Sequence, residues 1–429
     1  MTRLAEIRRV LRHRNFRHLW VAQSASVIGD NIVLVALALF VISRHGSATE
    51  LGLVLAAQSL PLVVLLLFGG VWADRLPRQR VMIVTDIVRF GLHGLLAALI
   101  FAGSVRIWQV VLIEVLFGSA EAFFRPAANG LLPQTVPEAD IQPATAVTTL
   151  SNNVAEFAGP ALATALVLGA GAGWAFALDA GTFLLSAAFL AGVRPRERGD
   201  RPSQERAPMS VWADIRDGAR EVRAHTWVWA TLASFCVALF CGLAPWYVLG
   251  PLVAREQYGH LGVYGLLEAA FGIGTIAGAL VGVGWRPRHP MRLGMLAMLL
   301  WPTADILYAS GVTLVIVVPA IVVAGCGLSL FDIWWLTALA ERIPPEKLSR
   351  VTSYDWMVSL GLLPLGYALA GPLAEALGPV EVLIGGSVLA LIAFALGLLP
   401  RQTRMLERLD IDRPVIREEP LAVVPHHRV

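Results

Sequence analysis

Charge is scarce in this chain: only 15% of its 429 residues are Asp, Glu, Lys or Arg, where soluble globular proteins carry roughly a quarter. With 56% hydrophobic residues and a mean hydropathy of +0.66, the apolar content exceeds what a water-soluble core could hide. The chain therefore reads as a polytopic membrane protein. Cysteine is also rare. Cys236, Cys241 and Cys326 all fall inside predicted helices with no ligand-like spacing to histidine, which argues against a disulfide framework or a zinc site. Lysine is reduced to Lys347, a bias from which no function follows. There is no G-x-x-x-x-G-K-[ST] loop to cradle the phosphates of ATP, and no H-E-x-x-H or G-x-S-x-G motif. Neither an enzyme activity nor a cofactor is expected.

Twelve apolar segments begin near Leu19, Leu51, Val81, Ile107, Ala144, Trp174, Val228, Gly262, Leu293, Leu314, Tyr354 and Val380. Each is about long enough to cross a bilayer core of roughly 30 Å as a helix. The first follows an arginine-rich stretch and is too long for a signal-peptide core, so no cleaved leader is expected. If alternate loops are assigned inward, 29 of the 34 Lys and Arg fall on the inner side. Arg44, Arg106 and Arg255 fall outside, and Arg89 and Arg125 lie within helices. The positive-inside rule then puts both termini in the cytoplasm of a multi-pass inner-membrane (plasma-membrane) protein. The net charge of +3 says little about nucleic acid, since the basic residues are spread over inner loops facing anionic lipid, and no nucleic-acid partner is expected.

The expected organisation is a first six-helix bundle over 1–193, a cytoplasmic linker with an amphipathic helix over 194–225, a second bundle over 226–400 and a cytoplasmic tail over 401–429. Traces of duplication support it. V-P-E-A-D-I at 136–141 is echoed by I-P-P-E-K-L at 343–348, and A-G-P-A-L-A at 158–163 by A-G-P-L-A at 370–374. Two short stretches are expected to lie on the inner surface: Leu4, Ile7 and Leu11 near the N-terminus, and Val211, Ile215 and Val222 in the linker.

What charge there is inside the apolar segments is mostly acidic. Asp30, Asp86, Glu114, Glu121, Glu156, Asp179, Glu268, Asp305 and Asp332 stand against Arg89 and Arg125. At about 3 kcal/mol for each mid-membrane charge, against about 0.5 returned by each Leu, Ile, Val or Phe, the fourth segment cannot turn Glu114 and Glu121 to lipid. Glu114, Gly118, Glu121 and Arg125 share one stripe, which points inward, and Glu121 and Arg125 are spaced to pair near the inner surface. In the first segment Gln23, Ser26 and Asp30 share a face, with Asp30 near the midpoint. In the fifth, Asn152, Glu156, Gly159 and Ala163 do the same. A mid-membrane acid is a proton or cation site unless a structural partner holds it. Asp30, Glu114 and Glu156 are therefore the candidates for proton coupling or for the substrate cavity. Asp86 and Arg89, one turn apart, read as a structural pair. Trp246, Tyr247, Trp334 and Trp335 read first as packing or interfacial anchors and second as cavity lining.

Between the second and third segments the chain reads G-V-W-A-D-R-L-P-R-Q-R, from Gly70 through Asp74, Arg75 and Arg78 to Arg80. This pattern resembles the loop signature of the major facilitator superfamily, with Pro77 where that family usually has glycine. R-N-F-R-H-L-W at 14–20 and S-V-I-G-D at 26–30 resemble the macrolide-efflux and enterobactin-exporter branch. The resemblance implies an all-α membrane protein with twelve transmembrane helices in two pseudo-symmetric six-helix bundles. It further implies a secondary active exporter of amphipathic small molecules, such as a drug, an antibiotic or a siderophore-like metabolite. Export would run by proton antiport with alternating access, in a monomer within the lipid bilayer. The loop residues Gly70, Asp74, Arg75, Arg78 and Arg80 would gate the inner side, and Gly159 and Pro160 resemble the core of the exporter signature in the fifth helix. Ala163 and Thr164 replace the glycines that usually follow. Glu114 stands four residues before Gly118, where drug/proton antiporters often carry arginine, so no proton relay through such an arginine carries over. Two alternatives stay open: a lipid or lysolipid flippase of the same fold, and a non-transporting receptor or scaffold.

Overall fold

The computed structural model describes residues 3–44, 46–196, 211–344, 347, 351–352, 354–355, 357 and 361–408; the side chains of 66–75, among others, lie outside that description. Among the described residues every regular element is a helix. A short α1 (Arg3–Arg12) precedes α2 (Arg14–Ser43), α3 (Ala48–Arg75), α4 (Arg78–Phe101), α5 (Ile107–Leu131), α6 (Ile141–Gly169) and α7 (Ala172–Ala191). The linker helix α8 (Val211–Ala224) leads to α9 (Thr226–Ala238), which runs through a π-helical turn at Leu239–Leu243 into α10 (Ala244–Tyr258). Then come α11 (Gly262–Gly284), α12 (Pro290–Met298), α13 (Leu300–Ala309), α14 (Leu314–Arg342), α15 (Leu363–Leu377), α16 (Pro379–Gly397) and the short α17 (Arg401–Met405).

Among the described residues nine helices are long and apolar enough to cross a membrane, with α9 and α10 joined as one of them. The other three expected segments fall on α6, on the pair α12 and α13 that breaks at Leu299 just before Pro302, and on α15 with the partly described stretch before it. Large apolar side chains face outward in numbers no soluble monomer tolerates; Val315, Leu280 and Ile273 are 84%, 74% and 61% exposed. Lipid tails are the solvent that fits such a surface.

Helices α2 to α7 pack on one another, as do α9 to α16, and the two sets meet where α3 lies along α15 and α6 along α11. Glycine permits the closest approaches. A side chain on Gly118 of α5 would strike the backbone of Gln58 in α3, and one on Gly274 of α11 would strike that of Val322 in α14. Without a hydrophobic drive between helices in lipid, such backbone proximity supplies the van der Waals contact. The turns divide by end. Gly103, Gly171, Gly259, Gly311 and Gly378, the positive-φ glycines among the described residues, close the tight turns of one end, here the turn end. The charged connections and the linker occupy the other.

At the linker end, α1 is pinned by Arg9 and His13 to Asp140 at 2.9 and 2.8 Å. Linker helix α8 is held by Lys347, which donates to Glu221 at 2.6 Å. Residues 197–210 and 409–429, which carry much of the expected linker and tail, lie outside the described residues.

Candidate functional site

The interior of the first helix set contains a polar cluster that no helix could turn toward lipid. Asp86, Arg89 and His93 of α4 are spaced three and four residues apart, so they form one stripe, and all three are fully buried. Arg89 pairs with Asp86, whose second oxygen accepts from Ser186 of α7 at 2.6 Å. The guanidinium lies 4.1 Å over Phe124 and 4.3 Å over Phe183, contacts that partly replace its lost water. On its other side Arg89 comes within 3.9 Å of Asp30 in α2, whose side chain keeps 30% of its surface open.

One turn along α4, His93 sits between two acids. Its Nδ1 contacts Asp179 of α7, and its Nε2 lies 3.6 Å from Glu114 of α5. Phe117 stacks flat on the imidazole at 4.0 Å, and Phe176 meets it edge-on at 5.8 Å. Gly29 of α2 completes the packing: a Cβ there would collide with Asp179 and Thr182, so the helix that carries Asp30 rides directly over the Asp179 carboxylate.

The structure thus places Asp30 beside Arg89 and Glu114 beside His93, and among the described residues Glu156 makes no ion pair with either group. Glu156 is exposed on α6, where its charge acts on Asp332 of α14 and Tyr247 of α10 across the junction of the two sets. The fourth-segment stripe is divided. Glu114 faces His93, and Gly118 packs on α3. Glu121 accepts from Arg125 at 2.6 and 2.9 Å with the arginine 44% exposed. Gly159 allows α6 to touch the backbone of Asn31 in α2, and Pro160 beside it is buried. Of the charged loop, the side chains of Gly70, Asp74 and Arg75 lie outside the described residues. Arg78 donates to the Gly130 carbonyl of α5 at 2.6 Å, and Arg80 is exposed.

His93 is the member that sequence reasoning missed. Its signal was available, since it completes the Asp86 and Arg89 stripe, but a neutral-looking histidine in an apolar segment does not announce two acidic partners on other helices. The second helix set has a different interior. Glu268 of α11 accepts from Trp246 at 2.6 Å, and Tyr308 donates to the Gly250 carbonyl at 2.6 Å while stacking on Tyr258.

The chain belongs to the transmembrane secretion effector family of the major facilitator superfamily, whose sequence model matches residues 9–426. It is 24% identical over 387 residues to macrolide efflux protein A of Streptococcus pyogenes, covering 88% of this chain and 94% of that one. It is 28% identical over 273 residues to a putative bacilysin exporter of Bacillus amyloliquefaciens, covering 63% and 66%. The crystal structure of the nucleoside transporter NupG superposes with a TM-score of 0.68 at 14% identity, over 90% of this chain and 99% of that one. At that identity the likeness is one of fold.

Proposed function

We propose that this protein is a secondary active exporter of amphipathic small molecules that exchanges them for protons by alternating access. The observation that carries the reading is Asp30: an acid whose side chain is 30% exposed and whose carboxylate comes within 3.9 Å of the buried Arg89. Such a group can take a proton from solvent and report it to a network that helices α2, α4, α5 and α7 all share. Relatives named as macrolide and bacilysin exporters support the outward direction and the substrate class.

In this reading the chain crosses the inner membrane twelve times with both termini cytoplasmic. Residues 1–193 form one bundle, 194–225 the linker, 226–400 the second bundle and 401–429 the tail. The linker end is then the cytoplasmic end. Among the described residues the bundles meet at the turn end, where Thr49 and Gly52 touch Gly371 and Tyr367, Thr164 touches Gly265, and Arg255 reaches the Ile42 carbonyl. That arrangement is closed outside and belongs to an inward-facing state. Glu156 and Asp332 lie where the bundles face each other and are read as cavity acids. Arg78 fastens the charged loop to its own bundle, and Asp74 is read as the group that latches the loop when the protein opens outward.

The test is transport in proteoliposomes with an imposed pH gradient and a radiolabelled macrolide as probe. Asp30→Asn should bind the probe and exchange it passively, yet fail to accumulate it against its gradient. Full gradient-driven accumulation by the variant would remove Asp30 from the mechanism.

A further inference from the structure

His93 has an acid at each ring nitrogen, and hydrogen-bond arithmetic limits how the three groups can be protonated. A neutral imidazole offers one N–H and one lone pair. With Asp179 and Glu114 both ionised, one of its two contacts would set a lone pair against a carboxylate oxygen, in a place where side chains have no measurable exposure. An uncompensated repulsion of that kind is expensive away from water. Both oxygens of Glu114, Oδ1 of Asp179 and Nε2 of His93 have no hydrogen-bond partner among the described protein groups.

We infer that Asp179, His93 and Glu114 share two protons, and that the second of these is a stored proton the transport cycle can exchange through Asp30. The exchange half of this statement rests on the proton-coupled reading above; the two-proton half does not. Of the groups that face the triad, Arg89 is the other positive charge, and it acts on Asp179. On α4, Arg89 is already engaged by Asp86 and by Asp30 of α2. From α5 Glu121 adds negative charge that acts on Asp179 and is itself paired to Arg125. From α7 Ser186 donates to Asp86 and is not available. Phe117 and Phe176 hold the ring in plane between its partners.

The transfer needs no other reactant. The proton that His93 shares with Asp179 passes to Asp30, which the neighbouring Gly29 brings alongside the Asp179 carboxylate, a proton from Glu114 refills the ring where that acid holds it, and Asp30 releases the proton to water. The triad is left with one proton and both carboxylates ionised until solvent refills it. Gly29 puts the Asp30 helix against Asp179, so a tilt of α2 on α7 is the motion that would open or close the step.

The experiment uses the full chain in detergent micelles at neutral pH. Nitrogen-15 histidine spectra, with His93→Gln to assign the signal, read whether His93 carries one ring proton or two. Infrared difference spectra of wild type against Glu114→Gln read a protonated carboxyl. An imidazolium signature at His93, or a carboxyl band that Glu114→Gln deletes, supports the inference. A singly protonated ring in a wild-type protein whose infrared spectrum shows no protonated-carboxyl band at all overturns it, a reading that does not need Glu114→Gln to fold. In proteoliposomes both variants should lose pH-driven accumulation of the macrolide probe while keeping passive exchange, and undiminished accumulation by both would overturn the exchange step. A two-proton triad in a wild-type protein that shows no pH-driven flux would sink the transport reading and leave the proton site standing.

Discussion

The two helix sets share an architecture and differ in what they bury. The first encloses Asp86, Arg89, His93, Glu114 and Asp179 in helices that run unbroken for 20 to 30 residues. The second encloses Trp246, Tyr264, Trp301 and Tyr308 together with the acid Asp305, and its helices are interrupted by the π-helical turn at Leu239–Leu243 and the break at Leu299. Buried ion pairs seldom add stability over apolar residues of similar volume. Among the described residues the second set buries no ion pair of this kind. Bends and π turns concentrate strain and mobility. One set therefore buries an ion-paired cluster in unbroken helices, and the other a largely aromatic interior in helices with a π turn and a break.

The sharpest way to break this comparison is to remove the central cation. Arg89→Met leaves Asp86 buried beside an apolar group and should cost about 3–5 kcal/mol, or prevent accumulation of folded protein. Asp305→Asn, at an acid of the second set, should cost within about 1 kcal/mol. Thermal unfolding in detergent reads both, and equal losses would show that the two interiors depend on charge alike.

Packing, by contrast, should not distinguish the sets. Gly118→Val and Gly274→Val each drive a side chain into the backbone of a neighbouring helix, and each should destabilise by about 1–3 kcal/mol. A large difference between them in the same unfolding assay would mean that the α3 and α5 contact and the α11 and α14 contact are not equivalent.

A smaller effect is expected where the second set uses a neutral hydrogen bond. Tyr308→Phe deletes the hydroxyl that meets the Gly250 carbonyl and should cost about 1 kcal/mol, with pH-driven flux unchanged. Loss of coupling in this variant would extend the proton pathway into the second bundle. The smallest effect belongs to Glu121 and Arg125, a pair with a largely open arginine. Reversing both charges should retain more folded protein than either single reversal, with a coupling of about 0.5 kcal/mol in a double-mutant cycle.

Much of this was legible in the chain itself. Apolar length and the scarcity of charge determine that the protein crosses a membrane, because no other solvent accepts Val315 or Leu280 on an outer surface. Helical spacing alone predicts that Glu121 meets Arg125 and Asp86 meets Arg89, since both pairs lie within one turn of one helix. Cost in hydrocarbon predicts that Glu114 points inward. Spacing within a helix says nothing of which other helix an inward side chain meets. Only the packing of α4 between α5 and α7 brings Glu114 and Asp179 to the two nitrogens of His93, and only the missing side chain of Gly29 lays α2 over Asp179. The same packing sets Asp30 beside Arg89 and Glu114 beside His93 and, among the described residues, gives Glu156 an ion pair with neither, though the three acids look alike one segment at a time. Sequence decides that a charge must be hidden; the distances between helices decide what it is hidden against.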